Sequence, residues 1–596
     1  MKRKGLLLVY SIVLFLVSCS GTEKPPERVF VDPHPISPDA LVVNVNGERG
    51  GRIITATISE PDSFNPIVAY EADAQALNQI MGGGLTRLNL KTQLPEPALA
   101  KSWETSPDQL TWTFHLREKL NWSDGTPFTA DDVLFTMQII NDPGIPSGAQ
   151  DVLTIGGKAI QWMRKDDFTV TAVLPAPFAP FLRFIDAGTV PILPKHKLQK
   201  IYQEGKFAQA MQLDMNPQDY VCMGAFRLKE YKPGQKISLI RNPHYWKKDL
   251  HENRLPYIDE IIFLILAGQD QLVLRLQNGE IDTYQSIRPQ DVEDLSGKAA
   301  TTQLEVIQLG PSYENEQFFF NQNGGKNSKT GQFYVKPVKR SWFTDVNFRR
   351  AISHAIDRNA VVQNALYGKA IPVYGAESPG NSFWYCDNIT RYAYNIEKAL
   401  ELLTASGFVR KKDSAGNPIL YDKSGSQVRF SLNTNAGNTT RNTQCQLIVS
   451  DLAKLGIIVD YSALDFGTLV DRVTATFNYD SVLLSLSHDD VDPAAGMNIW
   501  MSGGTLHFWW PNQTSPVTDW EKRIDELMNL QMSTFDYQKR KLYYDEVQQI
   551  LADQQPIIFT ANQFLHACAK KSIGNLQPVI ARHRTLWNAD ELYWRN

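Results

Sequence analysis

Cysteine is scarce in this chain: only five of its 596 residues are cysteines. The first is Cys19, near the amino terminus, and the other four lie far apart in the body of the chain, at Cys222, Cys386, Cys445 and Cys568. None of them stands in a Cys-x-x-Cys or other metal-binding spacing, so no metal site is predicted from them. We expect buried thiols or at most two disulfide bridges.

Signatures of catalysis are also missing. The sequence has no Gly-x-Ser-x-Gly, no His-Glu-x-x-His and no phosphate-binding Gly-x-x-x-x-Gly-Lys-Ser/Thr run. Asp489 and Asp490 are direct neighbours, and neighbouring carboxylates on an extended chain point apart instead of flanking a glycosidic bond. The sequence therefore predicts neither an enzyme nor a bound cofactor.

A strong net charge is absent too. The formal net charge is −4, with 43% hydrophobic and 21% charged residues, which is the balance of an ordinary globular protein. Such a mildly acidic composition argues against nucleic acid as a partner. A chain of 596 residues is too long for a single core, so two or more lobes are expected.

A long apolar run occurs only at the amino terminus. Basic residues 2–4 precede an apolar segment, 6–17, which is shorter than the roughly 20 residues that a membrane span requires. Leu-Val-Ser-Cys, ending at Cys19, resembles a bacterial lipobox. We therefore predict a signal peptide over 1–18, lipidation of Cys19 and a tether over 19–48, which place the protein in the periplasm or at the cell surface, anchored to a membrane.

The stretch 98–139 passes from a strand pattern through a tight turn into a helix. Residues 110–117 alternate apolar and polar side chains with the period of a half-buried strand. Residues 123–125, Ser-Asp-Gly, predict a turn. Thr129, followed three residues later by Asp132, matches a capping box and predicts that a helix begins there.

The order of short motifs in this stretch resembles that found in a protein family. The runs Ala-Lys-Ser-Trp, Ser-Pro-Asp, Thr-Phe-His-Leu-Arg and Asp-Gly-Thr-Pro-Phe-Thr-Ala-Asp-Asp-Val resemble the hallmark of bacterial extracellular solute-binding proteins of family 5, which serve peptide and nickel ABC transporters. A second signature lies at 223–246, a predicted hairpin that ends in Arg-Asn-Pro-His-Tyr-Trp. Looser matches run from Arg52 to the carboxyl end.

The resemblance implies an α/β fold: a two-lobed periplasmic-binding-protein type II fold with an extra inserted subdomain and a hinge between the lobes. The predicted parts are lobe I (49–90, 216–311 and 545–596), an inserted subdomain of lobe I (91–215) and lobe II (312–544). The favoured disulfide pairs are then Cys222 with Cys568 and Cys386 with Cys445, since each pair falls within one lobe. A monomer is expected.

The favoured binding site follows the apolar strand pattern at 480–487. His488, Asp489 and Asp490 come directly after it, and polar groups just past the carboxyl end of a buried strand face the ligand crevice of open α/β sheets. Closely spaced carboxylates favour a cation, either the α-ammonium group of a peptide or a metal ion. In the alternative interpretation these acids cap a helix beginning near Pro493, a role for which Asp492 is suited.

The resemblance gives Asp489 a specific role. In the peptide-binding branch of the family, an aspartate in this loop pairs with the amino terminus of the ligand, and Asp489 matches that position. The branch often has Gly-Trp shortly before the aspartate, whereas Ser485 and Leu486 stand here, which puts an aromatic ligand contact and peptide specificity in doubt. Two other aromatic residues, Trp384 and Trp500, are our candidates for lining the cleft; the alternative is that they pack loops into the core.

These observations predict a substrate-binding lipoprotein of an ABC importer, which captures a small solute between its lobes and delivers it to the permease. An oligopeptide is the favoured solute, and a nickel chelate, haem or an oligosaccharide remain alternatives. A secreted hydrolase that uses residues 488–490 is the competing class of function.

Overall fold

The chain folds into four main β-sheets with helices packed against them in this computed structural model, which describes residues 34–69, 72–486, 491–511, 513–581 and 583–595. Two of the sheets share one hydrophobic cluster, another has clusters of its own on both faces, and the fourth connects the two groups. We call the first group lobe I (36–311 and 561–595) and the second group lobe II (316–559).

The first sheet of lobe I mixes antiparallel and parallel strands. The predicted hairpin forms two of its strands, and Gly234 in the hairpin turn has a positive φ of 66°, which glycine adopts without strain. Strand Glu260–Ile265 pairs in parallel with strand Arg52–Thr57. In spatial order the strands are Phe226–Lys232, Lys236–Arg241, Glu260–Ile265 and Arg52–Thr57.

The second sheet of lobe I is antiparallel throughout and contains the predicted strand of the 98–139 stretch. Its order is Ala100–Thr105, Thr111–Leu116, Thr169–Val173 and Gln161–Asp166. The helix Ala130–Ile140 follows, and the predicted capping box is confirmed: the Thr129 side chain accepts a hydrogen bond from the first turn, and the Asp132 carboxylate accepts one from the Thr129 backbone N–H at 3.0 Å.

The sheet of lobe II has five strands, and its central strands are parallel. In order they are Ile458–Leu464, Arg429–Asn435, Ser481–Ser485, Glu316–Phe320 and Ile557–Phe559, the last two antiparallel to their neighbours. All five residues of Ser481–Ser485 fall within the predicted strand pattern at 480–487. This strand therefore ends directly before the predicted binding loop.

Two chain segments pass between the lobes. Strand Leu304–Pro311 in lobe I leads to Glu316–Phe320 in lobe II, and Ile557–Phe559 leads back into the long strand Ala561–Lys570. The long strand pairs with Leu304–Pro311 and Thr283–Tyr284, and also with Ala370–Pro372 of lobe II. The chain thus returns to lobe I after Phe559, whereas the predicted limit at 545 falls inside a helix that packs in lobe II.

The helices cover the faces of these sheets. In lobe I they are Ala72–Met81, Ala130–Ile140, Gly148–Val152, Phe181–Phe184, Lys195–Gln203, Gln269–Gln277, Val292–Gly297 and Ala299–Thr302. In lobe II they are Pro337–Phe343, Val346–Ala355, Arg358–Ala360, Ile396–Ala405, Thr439–Leu455, Phe466–Thr474, Met497–Trp500, Asp519–Ser533 and Tyr537–Gln554. Short pairs of strands complete the fold at Leu41–Val43 with Lys247–Asp249, Thr86–Asn89 with Leu94–Pro97, Thr154–Ile155 with Lys158–Ala159, Val409–Lys412 with Pro418–Tyr421, and Ile573–Gly574 with Tyr593–Trp594.

One predicted helix is interrupted. The apolar stripe over 347–366 predicts a continuous helix, but the helix ends at Ala355, the chain turns at Ile356, which has extended dihedral angles, and helical structure resumes as Arg358–Ala360 and a π-helical turn, Val361–Ala365. Arg358 explains the break, because its buried guanidinium donates to the carbonyl oxygens of Ser353, Val373 and Phe559 at 2.8–3.0 Å. Helical periodicity in the sequence predicts which face is apolar, but it does not predict hydrogen bonds from a side chain to distant carbonyl oxygens.

The favoured disulfide pairs, Cys222 with Cys568 and Cys386 with Cys445, are wrong. All four side chains are free thiols, as the first alternative predicts, and three of them are buried, Cys386 being half-buried. Burial raises the pKa of the Cys222 and Cys568 thiols to about 12, so both are uncharged at neutral pH. These thiols pack as small apolar side chains.

Candidate functional site

The predicted loop after Ser481–Ser485 falls at the edge of the described structure. His488, Asp489 and Asp490 lie outside the described residues. The loop resumes at Val491, and Asp492 begins a short helix, Pro493–Gly496, by accepting a hydrogen bond from the Ala494 N–H at 3.0 Å. The helix-capping role that the sequence analysis offered as an alternative is therefore confirmed for Asp492.

A small polar pocket lies against this resumed loop in lobe II. It encloses about 30 Å³, which is room for one or two water molecules. The lining combines two carboxylates, Glu377 and Asp492, with the aromatic side chains of Tyr313, Trp500 and Tyr544. We call it the lobe II pocket.

Glu377 is the residue of this pocket whose charge is least compensated. Its carboxylate accepts hydrogen bonds from the Ser378 backbone N–H at 3.0 Å and from the Tyr544 hydroxyl at 3.2 Å. Burial raises its pKa to about 7, even though these donors and the more distant Lys541 act in the opposite direction. A cation entering the pocket would favour the ionised form of this carboxyl group and lower its pKa.

Asp492, by contrast, already faces a cation. Arg540 donates to its carboxylate at 2.5 Å, and both side chains are 1% exposed. The guanidinium also donates to Gln531 at 2.9 Å and lies 5.1 Å from the ring centre of Trp384. This buried ion pair stabilises the wall of the pocket, so the role of Asp492 is structural.

The two predicted aromatic residues occupy different positions. Trp500 is 4% exposed and lines the lobe II pocket, next to the hydroxyl of Tyr544. Trp384 is 2% exposed and lies behind the pocket, with its ring against Tyr544 at a centroid distance of 6.2 Å. A ligand contact by either residue stays a prediction.

An ionic network joins the carboxyl ends of the neighbouring strands. Arg441 donates to both carboxylate oxygens of Glu316, at 2.9 and 3.2 Å, and to Asn435 and Ser485 at the ends of two parallel strands. The Ser485 hydroxyl in turn donates to Glu314 at 3.4 Å. No pattern in the sequence singles out Arg441, since the contact joins residues more than a hundred positions apart.

A larger cavity lies in lobe I. It encloses about 260 Å³ between the helix Ala72–Met81 and three loops. The described residues that line it are all uncharged: Pro66, Ile67, Ala69, Gln75, Asn78, Ser147, Gly148, Ala149, Ala187, Gly188, Thr189 and Pro191. We call it the lobe I cavity.

Two side chains of the lobe I cavity have unused hydrogen-bonding capacity. Asn78 is 5% exposed, and within the described part of the chain neither its amide nitrogen nor its amide oxygen has a hydrogen-bond partner. The hydroxyl of Ser147 is likewise buried without a partner among the described residues, although it stands at the helix N-cap position of Gly148–Val152. Such groups are rare in folded proteins because each costs about 1–3 kcal/mol.

The run Gly82-Gly83-Gly84 explains how the wall of this cavity forms. A Cβ atom on Gly84 would lie 2.3 Å from the backbone nitrogen of Ala187, so only glycine lets the 187–191 loop approach the end of the helix. The Ile192 N–H then donates to the Gly83 carbonyl at 2.9 Å. The sequence analysis did not identify Asn78. The three consecutive glycines were the sequence feature that could have indicated a close backbone approach near it.

Metal clusters and membrane-spanning helices were both sought among the described residues. Among them, no group of three His, Cys, Asp or Glu side chains could hold a metal ion. None of the helices in the described ranges is both long and apolar enough to cross a bilayer.

Comparison with known proteins assigns a family to this fold. Residues 95–507 match the family model described as "Bacterial extracellular solute-binding proteins, family 5 Middle". A probable ABC transporter-binding protein of Deinococcus radiodurans is 27% identical over 543 residues, which cover 87% of this chain and 88% of that protein. The oligopeptide-binding protein AppA of Bacillus subtilis is 25% identical over 572 residues, covering 94% of this chain and 93% of AppA.

Solved structures agree in fold. AppA of Bacillus subtilis, in complex with a nonapeptide, superposes with a TM-score of 0.72 at 23% identity and covers 92% of this chain and 100% of its own. MelB of Agrobacterium fabrum, in complex with stachyose, gives a TM-score of 0.76 at 22% identity, covering 92% of this chain and 85% of its own. The predicted two-lobed type II periplasmic-binding-protein fold is thereby confirmed.

Proposed function

This chain belongs to the bacterial extracellular solute-binding proteins of family 5, and on that premise we propose that it captures oligopeptides for an ABC importer. Proteins of this family bind peptides or other solutes, such as nickel chelates and oligosaccharides, and deliver them to ABC permeases. They are transport proteins and not enzymes, as the sequence analysis predicts. The peptide is our proposal for the solute.

Two observations support this proposal: an acidic pocket in lobe II and a neutral polar cavity in lobe I. The lobe II pocket holds Glu377, an acid without an ionic partner among the pocket residues described above, whereas the lobe I cavity is lined by uncharged groups, two of them with unused hydrogen-bonding capacity. A short peptide combines a cationic amino terminus with neutral amide groups. The cationic end of such a ligand suits the acidic lining, and its amide groups suit the neutral polar lining.

Asp489 is proposed as the partner of the ligand's amino terminus. The support is its place in the sequence, in an acidic run that follows a buried strand at the carboxyl edge of the lobe II sheet. His488 and Asp490 are proposed as neighbouring contacts, and Trp384 and Trp500 as aromatic ones. An ammonium group buried without such a carboxylate would cost about 3–5 kcal/mol.

Capture is proposed to work by closure of the lobes. Contacts with the ligand on both walls favour the state in which the lobes meet, and the permease recognises that state. The two crossing segments, 312–315 and residue 560, are short and adjacent, which suits a hinge. The division into two lobes and an inserted subdomain (91–215) is part of the same proposal. In it, the chain returns to lobe I at residue 560 instead of at residue 545.

Membrane attachment through Cys19 is proposed from the sequence alone. The basic, apolar and lipobox-like segments are followed by a polar tether over 19–48. A Cys19→Ser variant, expressed in a bacterium that lipidates proteins, should lose the lipid mass from its amino terminus and leave the membrane fraction. An unchanged distribution between the membrane and soluble fractions would contradict the anchor.

Titration calorimetry tests the peptide and the role of Asp489 together. The wild type should bind dipeptides to pentapeptides with free amino termini and bind their N-acetylated forms at least about a hundredfold more weakly, since acetylation removes the charge. Asp489→Asn should lose affinity for the free peptides and gain none for the acetylated ones. Binding of a sugar or a metal chelate without any peptide binding would be consistent with the family assignment and would contradict the proposal that the solute is a peptide.

A further inference from the structure

The lobe II pocket combines carboxylates with aromatic rings, which is the composition of a site for a small cation. Three rings line it, those of Tyr313, Trp500 and Tyr544, and the two carboxylates belong to Glu377 and Asp492. An aromatic ring attracts a cation through the negative face of its π system, and a carboxylate adds an ionic partner. The pocket therefore offers two kinds of attraction to the same charged group.

Glu377 is the acid that is available to such a cation. The basic side chains on the facing helix have other partners, since Arg540 binds Asp492 and Lys541 binds Asp545. Glu377 accepts hydrogen bonds from neutral donors, and burial raises its pKa to about 7. An incoming cation would supply the opposite charge that the surroundings of this carboxyl group lack.

The size of the pocket selects among cations. About 30 Å³ is enclosed, which admits an ammonium group, since this group is close to a water molecule in size. Gly496 helps to set this size, because a Cβ atom there would lie 2.5 Å from Nε1 of Trp500 and would displace the ring. Guanidinium and trimethylammonium groups contain several heavy atoms and exceed the space.

The open side of the pocket lies beside the junction of the lobes. Glu377, Tyr313 and Val491 are partly exposed, whereas Trp500 and Tyr544 are buried. Tyr313 belongs to the crossing segment 312–315, and its ring also packs against a hydrophobic cluster of lobe I, formed by Leu88, Leu90, Val579 and Ala581. An alkyl chain that enters along this ring thus comes from the side on which both lobes can contact a ligand.

We propose that the lobe II pocket binds the side-chain ammonium group of a lysine-like residue in the ligand, with Glu377 as its ionic partner and the three rings as its walls. This inference rests on the proposed function, in which the ligand is a peptide whose α-ammonium group pairs with Asp489. Glu377 then binds a second ammonium group. The substrate class is narrowed to peptides with lysine or ornithine at one position, and this pocket does not constrain their other side chains.

Titration calorimetry of the full mature chain with alanine tripeptides tests this inference. Lysine replaces one alanine at a time, and a matched peptide carries norleucine, which has a similar stem without the charge. At one position the wild type should bind the lysine peptide at least about tenfold more tightly than the norleucine peptide at pH 7.5. Arginine or trimethyllysine at that position should bring no such gain, because neither cation fits the pocket.

Three variants assign the effect to the pocket. Glu377→Gln removes the charge at nearly constant size and should abolish the preference for lysine over norleucine. Tyr313→Leu removes one aromatic wall and should reduce the preference by about 3- to 10-fold. Glu397→Gln changes an exposed glutamate on the lobe II helix Ile396–Ala405, and this matched control should keep the preference of the wild type.

The preference should also depend on pH through Glu377. At pH 5.5 this carboxyl group holds a proton in the unliganded protein, and an arriving ammonium group must displace that proton into the buffer. The preference for lysine should therefore fall by roughly tenfold between pH 7.5 and pH 5.5, whereas titration of the α-ammonium group cancels because both peptides carry it. At pH 6.5 the lysine peptide should release about half a proton or more on binding to the wild type. The corresponding release should be absent in Glu377→Gln.

The outcomes separate this inference from the proposed function. If the wild type binds none of the tripeptides, the proposed function fails and the ammonium site fails with it. If it binds them and lysine brings no gain at any position, the function stands and this inference is overturned. A preference for lysine that persists in Glu377→Gln, or that arginine and trimethyllysine reproduce, would likewise overturn it by showing a general attraction of cations.

Discussion

Glu377 is held in surroundings that penalise its charge, and this gives the protein a pH dependence of stability. Below the ordinary value of 4.5 the carboxyl is protonated in both folded and unfolded chains. As the pH rises from 4.5 to about 7, the unfolded chain releases the proton first, so the free energy of unfolding falls. The loss is complete above about pH 7 and amounts to at most about 3 kcal/mol.

The Glu377→Gln variant should therefore be more stable than the wild type at pH 8 and equally stable near pH 4.5, in the absence of ligand. Urea unfolding at the two pH values measures the difference. Asp492 and Tyr544, which face the same pocket, remain in place in both proteins. A difference that is the same at both pH values would show that the Glu377 charge does not cause it.

Removal of Arg540 would leave the carboxylate of Asp492 buried without its guanidinium. Arg540→Met should cost about 3–5 kcal/mol in the free energy of unfolding. Adding Asp492→Asn to that variant should restore a large part of the loss. A cost below about 1 kcal/mol for Arg540→Met would contradict the ion pair.

The sequence could identify single residues only where a local pattern marks them. The Thr129–Asp132 capping box and the Asp492 cap were predicted because cap and helix are adjacent in the chain. Glu377 and Asn78 could not be predicted, since their roles depend on burial against segments that are distant in sequence. The same is true of the cysteines, whose predicted pairing required distances that the sequence does not contain.

One side chain ties together the two segments that connect the lobes. The Asn562 amide nitrogen lies within hydrogen-bond distance of the carbonyl oxygens of Ser312 and Glu314, at 2.8 and 3.0 Å, and of two side-chain oxygens. The amide thereby links the outgoing crossing segment to the returning one. Additional support comes from the Thr560 N–H, which donates to the Glu316 carbonyl at 3.0 Å.

Asn562→Ala should leave those carbonyl oxygens without their donor and lower the free energy of unfolding by about 1–3 kcal/mol. Because the affected segments join the lobes, hydrogen exchange should quicken at 312–316 and 559–563 before it changes in the lobe cores. Asn529→Ala, an exposed amide, provides the control. Uniformly faster exchange throughout the chain would instead show a general loss of stability.

Most elements could be predicted from periodicity, and the exceptions share a cause. The strand at 52–57 and the hairpin at 226–241 agree with their alternating patterns, and the strand at 481–485 agrees with its continuous apolar run, since its first three residues are all buried. The helix predicted over 347–366 is interrupted after Ala355, because Arg358 binds carbonyl oxygens of other segments. The predicted lobe limit at 545 falls inside the helix Tyr537–Gln554, because helical periodicity does not indicate on which lobe a helix packs.

The molecule as a whole has its lobes in contact. The ring of Phe535 in lobe II stacks on Trp112 of lobe I at a centroid distance of 6.3 Å, and the Ala179 N–H donates to the Met532 carbonyl at 2.7 Å. Ala494 of lobe II is fully buried in the hydrophobic cluster of lobe I. These contacts join the two lobes, and none of the five residues is among those that line the lobe II pocket or the lobe I cavity.

Phe535→Ala should therefore weaken ligand binding although Phe535 lines neither the lobe II pocket nor the lobe I cavity. Loss of the ring removes about 1–2 kcal/mol of apolar contact from the closed state, so the apparent affinity should fall by up to about tenfold. Small-angle scattering should show a larger radius of gyration for the variant. Leu542→Ala, an exposed apolar residue of the same lobe, should change neither quantity.

The central claim, that this chain carries peptides, is tested most directly by native mass spectrometry of the mature protein, from about residue 47, purified from its own cell envelope. The account predicts a heterogeneous added mass that resolves into short peptides of varied side chains and disappears after mild denaturation. A single discrete mass, such as a sugar or a metal chelate, would keep the family and contradict the peptide.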